Sequence, residues 1–259
     1  MPLPPDIYET ERLLDEYLLF HYGTAAELLP AMVAEVPALR EAMAEAVDFP
    51  VRTVGHFTPL RGARALDLGC AVGRSSFELS AICEEVIGLD FSHGFIRAAN
   101  ALREGQCLSY QRHEEAHLHT TLSARMPAYA RPDHVRFEQG DAMNLRADLG
   151  SFDRVHAANL ICRLTDPLRL LERLPALVRP GGELLLATPC TWLAEFTPPD
   201  HWPPGETFAW LRERLGPSFE LVHSTHEPFL IRETARKFQW SHSQVSLWRR
   251  RTRSCCELP

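Results

Sequence analysis

Lysine is almost missing from this chain: Lys237 is the single one, so 26 of the 27 basic residues (27 − 1) are arginine. Acidic residues number 34, and the formal net charge is −7. Such a chain lacks the basic face of a general nucleic-acid binder and suits small or cationic ligands better. No apolar run reaches the ~18–20 residues that a membrane helix needs. The opening MPLPPDIYETERLL holds no basic stretch followed by an apolar core, so no secretory signal is visible and a cytoplasmic location is expected. The seven cysteines (70, 83, 107, 162, 190, 255 and 256) form no C-x-x-C pair and are odd in number. That pattern argues for reduced thiols and against a disulfide framework or a thiolate zinc site. Also absent is G-x-x-x-x-G-K-[ST], which disfavours a nucleoside triphosphate. With 259 residues, 45% of them hydrophobic, disorder is excluded and one domain spanning 1–259 is expected.

Along the chain, apolar residues three to four apart from Ile7 to Phe20 predict an amphipathic helix ending before Gly23. A second helical stretch, Ala25 to Val47, is broken or kinked by Pro30 and Pro37, and the two make a helical cap over 1–60. After Arg61-Gly62 short β-type runs (Ala65–Leu68, Val86–Leu89, Val135–Phe137, Arg154–Ala157, Glu183–Ala187) alternate with helical ones (Ser75–Cys83, Gly94–Arg103, Pro167–Val178), the last closed by Pro180-Gly181-Gly182. Alternation of this kind predicts a mostly parallel sheet with helices on both faces. Phe219–Ser224, Phe229–Ile231 and Phe238–Trp248 read as strands without intervening helices, hence an antiparallel C-terminal edge. The long connection at about 105–134, with Tyr110, His113, His117, His119 and Tyr129, reads as a lid or binding loop where specificity resides.

The strongest motif is Ala65-Leu66-Asp67-Leu68-Gly69-Cys70-Ala71-Val72-Gly73-Arg74-Ser75: an apolar strand, an acid, a small-residue turn and a helix start. Glycines 69 and 73 would let the backbone turn tightly and approach a ligand. Asp90 closes the next strand, 90 − 67 = 23 residues later, near the ~20-residue spacing at which such folds place a carboxylate on a ribose diol. Phe91 follows it; Asp141 and Ala142 close the third strand, and Asn159 the fourth. Four consecutive strand ends with a polar residue are hard to explain as helix caps, and open parallel sheets bind ligands at this edge.

The D-x-G-x-x-x-G loop resembles that of class I S-adenosylmethionine methyltransferases, with Ala71 where a middle glycine is usual. Segments from Tyr8 to Arg250 resemble more narrowly the ovothiol-type methyltransferases: Tyr8-Glu9-Thr10, Phe20-His21-Tyr22-Gly23, Ala157–Ile161, Thr191-Trp192-Leu193-x-Glu195-Phe196-Thr197-Pro198 and Ile231-Arg232-Glu233-Thr234-x-Arg236-Lys237-Phe238-Gln239. The resemblance implies a Rossmann-like fold with a seven-stranded sheet, and S-adenosyl-L-methionine as methyl donor, leaving S-adenosyl-L-homocysteine. It implies an imidazole methyl transfer to 5-thiohistidine, giving ovothiol A. These enzymes stand alone or are fused to sulfoxide synthases, which makes such a synthase a candidate partner. Cys162 departs from an acidic family position, and 105–134 is longer and richer in histidine than the family pattern. Other small amine, imidazole or thiol acceptors stay open, as do a non-catalytic cofactor-binding role and a monomer or homodimer.

Transfer from a sulfonium is an in-line displacement, so the chain mainly has to hold its reactants collinear in a dry pocket. The expected cofactor residues are Asp67, Gly69, Cys70, Ala71, Gly73, Arg74, Ser75, Asp90, Phe91, Asp141, Ala142 and Asn159. Asn159 and Arg163 beside the cofactor, with His21 and Tyr22 as a roof, are the catalytic candidates. Arg232 and Lys237 are expected to take the acceptor's carboxylate, and Trp192 and Phe196 to wall its ring. His113 and His117, at i and i+4, are read as solvated rather than as metal ligands, and no metal is expected. The basic run Arg249–Arg253 is read as a solvated terminus, with no nucleic-acid or membrane partner.

Overall fold

The computed structural model describes residues 7–29, 35–60 and 62–252. The expected break at Pro30, and Arg61, Arg253, Cys255 and Cys256, lie outside them. The strands are β1 (Arg64–Leu68), β2 (Glu85–Asp90), β3 (Leu108–Glu115), β4 (Leu118–Ala124), β5 (Val135–Gln139), β6 (Phe152–Ala158), β7 (Val178–Thr188), β8 (Phe219–Arg232) and β9 (Phe238–Arg250). The α-helices are α1 (Glu11–Tyr22), α2 (Ala25–Leu28), α3 (Pro37–Ala44), α4 (Phe49–Val54), α5 (Arg74–Ile82), α6 (His93–Arg103), α7 (Pro167–Leu177) and α8 (Thr207–Leu215). Seven strands form one sheet in the order β5-β2-β1-β6-β7-β9-β8. The first five are parallel, while β9 runs antiparallel to both β7 and β8. This is the Rossmann-like α/β sheet expected from the sequence.

Strand residues alternate between two apolar layers, as the period-2 geometry of a strand requires. Ala65, Val86, Leu185 and Ala187 face one core with α1, α4, α5 and α6, whereas Leu66, Ile87, Leu184 and Leu186 face the other with α7 and α8. Helix starts carry side-chain caps: the Ser92 hydroxyl accepts from Phe95 N at 3.1 Å, and the Asp166 carboxylate from Leu168 N at 3.2 Å.

Several expectations change. The second helical stretch is broken, as expected, into α2 and α3, with Pro37 opening the latter, whereas α4, α8 and a short 3-10 turn at Ile7–Glu9 were not foreseen. The two C-terminal strands flanking Pro228 are one strand, β8; it lies at the sheet edge, where a residue without an N–H is tolerated. Residues 180–182 do not end a helix but continue β7 through an irregular stretch, with Gly181 at φ +79°. The largest change concerns 105–134. It holds a β3–β4 hairpin, a separate two-stranded sheet that packs on α1, and none of its residues lines the cavity described below. His113 and His117 therefore share no helical face; the His113 ring meets His119 across the hairpin, centroids 5.0 Å apart. At the chain's end, Arg249 pairs with Glu183, and Arg250 and Arg251 bond backbone carbonyls, so these arginines are used in holding the edge strands.

Candidate active site

The strand ends open on a cavity of about 410 Å³. Along the sheet edge its wall carries Asp141 after β5, Asp90 at the end of β2, Gly69–Ala71 after β1, Asn159 after β6, Pro189 and Thr191 after β7, then Gln239 and Ser241 of β9 and Phe229 and Ile231 of β8. Tyr8, and Tyr17, Phe20 and His21 of α1, close it from the N-terminal side.

The turn after β1 shows why its residues are small. Gly69 has φ +70° and Ala71 φ +47°, both left-handed. Ala71 N donates to Asp90 Oδ2 at 2.8 Å, and Ser92 N to Oδ1 at 2.9 Å, which fixes the carboxylate and leaves each oxygen a second lone pair. Gly73 (φ +87°) does not approach a ligand: an added Cβ would lie 2.6 Å from the Phe137 ring, so its role is packing of α5 on β5. Alanine in the left-handed region costs about 1–2 kcal/mol. Ala71→Gly removes that strain at an unfolded-state entropy cost of about 0.4–1 kcal/mol, so a net gain of about 0.5–1 kcal/mol is expected, read as a melting temperature about 2 °C higher.

Burial pushes the Asp90 carboxyl up to about 6. Hydroxyl donors would stabilise its ionised form, so ligand binding at this residue releases a proton below that value. Affinity for a ribose-bearing ligand should therefore be flat above pH ~6.5 and fall by up to roughly tenfold per unit below 6, as calorimetry across pH would show. Asp141 accepts from Met143 N at 2.8 Å through one oxygen. Asn159 (φ +55°) donates its N–H to Ala187 O, and its Oδ1 accepts from Ser243 Oγ at 2.6 Å, which locks its amide at the rim. Burial holds the His21 imidazole neutral, with its ionisation pushed down to about 3, and its Nδ1 has no partner among the described residues.

Of the sequence candidates, Gly69, Cys70, Ala71, Ser75, Asp90, Phe91, Asp141, Ala142, Asn159, Arg163, His21 and Phe196 line the cavity. The others are used elsewhere. Asp67 is buried beneath the turn, accepting from Ser76 Oγ at 2.6 Å and lying 2.8 Å from His156 Nδ1. Arg74 pairs with Glu78, and the Tyr22 hydroxyl donates to Val72 O. Trp192 donates to Thr207 and packs on Trp210. Arg232, expected to hold a carboxylate, is buried in an ion pair with Glu114 of the hairpin at 2.7 Å. Lys237 is exposed and paired with Glu233 at 2.6 Å. Missed altogether were Tyr17, Phe20, Phe49 and Phe229, whose sequence signal is that of any core aromatic, and Glu195, Gln239 and Ser241, quoted only inside a motif or not at all. Among the described residues no His, Cys, Asp or Glu cluster has a metal site's arrangement, and no helix is long and apolar enough to cross a membrane.

Residues 38–254 match a family described as a methyltransferase domain. The chain is 29% identical over 138 residues to a tRNA U34 carboxymethyltransferase of Idiomarina loihiensis, covering 53% of this chain and 36% of that protein. It is 28% identical over 155 residues to O-methyltransferase cnsE of Penicillium expansum, covering 59% and 48%. The chain thus spans between about a third and a half of these curated relatives. In fold it is similar to the N-methyltransferase NodS of Bradyrhizobium japonicum (TM-score 0.51, 13% identity, 84% and 99% covered). It is also similar to a chain solved under "Conversion of a Disulfide Bond into a Thioacetal Group during Echinomycin Biosynthesis" (TM-score 0.53, 17% identity, 95% and 94% covered).

Proposed function

The chain belongs to the methyltransferase-domain family, and we propose that it is an S-adenosylmethionine-dependent methyltransferase whose acceptor is the imidazole ring of 5-thiohistidine. When bound, S-adenosylmethionine supplies a methyl group on a sulfonium. The residues present fit it. Asp90 keeps two lone pairs for a ribose diol, Gly69 brings backbone to the cavity without a side chain, and Asp141 and Ala142 stand one strand further out for the adenine.

The observation that carries the acceptor reading is the wall opposite. Phe20, Phe49 and Phe229 pack on one another with centroids 5.2–6.2 Å apart and give the cavity a continuous aromatic patch against which a planar ring can lie, with Asn159, Ser241 and Gln239 as polar residues of the same lining. The chain's own task is to exclude water and align a ring nitrogen with the methyl carbon. A neutral ring nitrogen has a free lone pair, so no strong base is required. Neutral His21 adds no positive charge against the sulfonium. A free-standing or sulfoxide-synthase-partnered enzyme fits this reading equally.

The test is incubation of pure protein with S-adenosylmethionine and 5-thiohistidine. A product heavier by one methylene, methylated on the ring, is expected. Turnover of a different amine or thiol with none of 5-thiohistidine would replace the acceptor.

A further inference from the structure

Two opposite charges line the cavity and form no ion pair among the described residues. Arg163, in the turn after β6, is the only arginine or lysine lining it among the described residues, and it has no carboxylate within ion-pair distance. Its position is nevertheless fixed. Nη1 donates to Cys162 O at 3.2 Å and Thr191 O at 3.0 Å, and the guanidinium lies over the Phe196 ring, 4.8 Å from the centroid. The Tyr8 phenol lies against it. Glu195, next to Phe196 in the chain, also lines the cavity and pairs with no described residue, Arg163 included. Most other cavity-facing or nearby charges are satisfied: Arg74 by Glu78, Arg232 by Glu114, Asp90 by two backbone N–H groups. An arginine held by carbonyls and the Phe196 face, with the exposed carboxylate of the preceding residue, Glu195, on the same cavity lining, offers both charges to a ligand that carries their opposites.

We propose that Arg163 and Glu195 clamp the carboxylate and ammonium of an α-amino acid acceptor. The proposal rests on the methyltransferase reading and deepens it, since it names the acceptor's class independently of its ring. Sheet order assigns the clamp to the acceptor and not to the methionyl end of the cofactor. With adenine at β5 and ribose at β2, the sulfonium reaches the β1 turn, and Arg163 and Glu195 follow β6 and β7 on the far side. The carboxylate role expected of Arg232 and Lys237 thus moves to Arg163.

The experiment compares acids with their decarboxylated amines: 5-thiohistidine with 5-thiohistamine, histidine with histamine, cysteine with cysteamine. In the wild type the acid should be preferred in kcat/KM by roughly thirtyfold, the worth of one charge-assisted pair. Arg163→Gln should bring that ratio close to one, with Arg163→Lys intermediate, while the calorimetric Kd for S-adenosylmethionine stays within about twofold, which also reports that the variant is folded. Glu195→Gln should likewise erase a preference for the free over the N-acetylated amino acid. If Arg163→Gln instead weakens S-adenosylmethionine binding and leaves the acid-to-amine ratio intact, the charges serve the cofactor and the proposal fails. Preference for another acid with no turnover of 5-thiohistidine would retain the clamp and remove the acceptor proposed above. Where no pair is turned over, binding of each acid and amine to protein loaded with S-adenosylhomocysteine is the readout, and equal affinities overturn the clamp.

Discussion

Replacing Asp90 by alanine is expected to weaken S-adenosylmethionine binding by roughly 100- to 1,000-fold. The carboxylate ends β2 with one bond from each oxygen to backbone, Ala71 N and Ser92 N, so its orientation is set before a ligand arrives. Two ribose hydroxyls donating to an ionised carboxylate contribute about 1.5–2 kcal/mol each, which gives that range. The same replacement frees the Ala71 N–H in an already left-handed turn, so some of the loss comes from a looser 69–71 segment. Asp90→Asn separates the two effects. It keeps an acceptor oxygen and the side-chain volume, and a loss nearer tenfold is expected, without the pH dependence below 6 that the wild type shows. Calorimetry on folded variants checks both numbers. A change under about fivefold for Asp90→Ala would mean that the ribose binds elsewhere.

His156→Leu should lower stability by about 3–5 kcal/mol, a drop in melting temperature of roughly 10 °C. His156 is 1% exposed, between Asp67 Oδ1 at 2.8 Å and Thr53 Oγ1 at 3.0 Å. Asp67 is equally buried, and Ser76 Oγ is its other partner. Removing the imidazole leaves a buried carboxylate with one hydroxyl, and breaking a buried pair from one side costs more than replacing both partners. The double variant Asp67→Leu with His156→Leu should therefore be less destabilised than the sum of the single ones, a coupling that a double-mutant cycle measures. Because this network ties β1, β6, α4 and α5 together directly under the turn, its loss should also be felt in cofactor affinity.

The parallel sheet and its strand-end edge were legible because they are written in local patterns: apolar runs of strand length, helical runs between them such as 94–103 and 167–178, and polar residues closing successive strands. Asp90, Asp141 and Asn159 were found that way, and all three line the cavity. Asp67 obeys the same pattern and yet points beneath the turn, since which side of a strand end faces the ligand depends on its partners, here Ser76 and His156, nine and 89 residues away. The charge of Arg232 was misread for a related reason. Arg232 carries the more specific motif, but the hairpin's Glu114, 118 residues distant, neutralises it, while Arg163 is left free by the absence of such a neighbour. The hairpin itself was read as a lid because its length alone is visible in the sequence; the register His113 to His119 that makes it a sheet is set by pairing.

On this proposal the strand-end cavity is divided, with the cofactor at β5, β2 and β1 and the acceptor at β6 to β8. A crystal structure with S-adenosylhomocysteine tests it most directly. The adenine should lie at Asp141 and Ala142, both ribose hydroxyls on Asp90, and the thioether sulfur beside the 69–71 turn facing Asn159, with the Phe20, Phe49 and Phe229 patch and the Arg163 and Glu195 pair left uncovered. A homocysteine moiety held between Arg163 and Glu195, or a ribose away from Asp90, would contradict it.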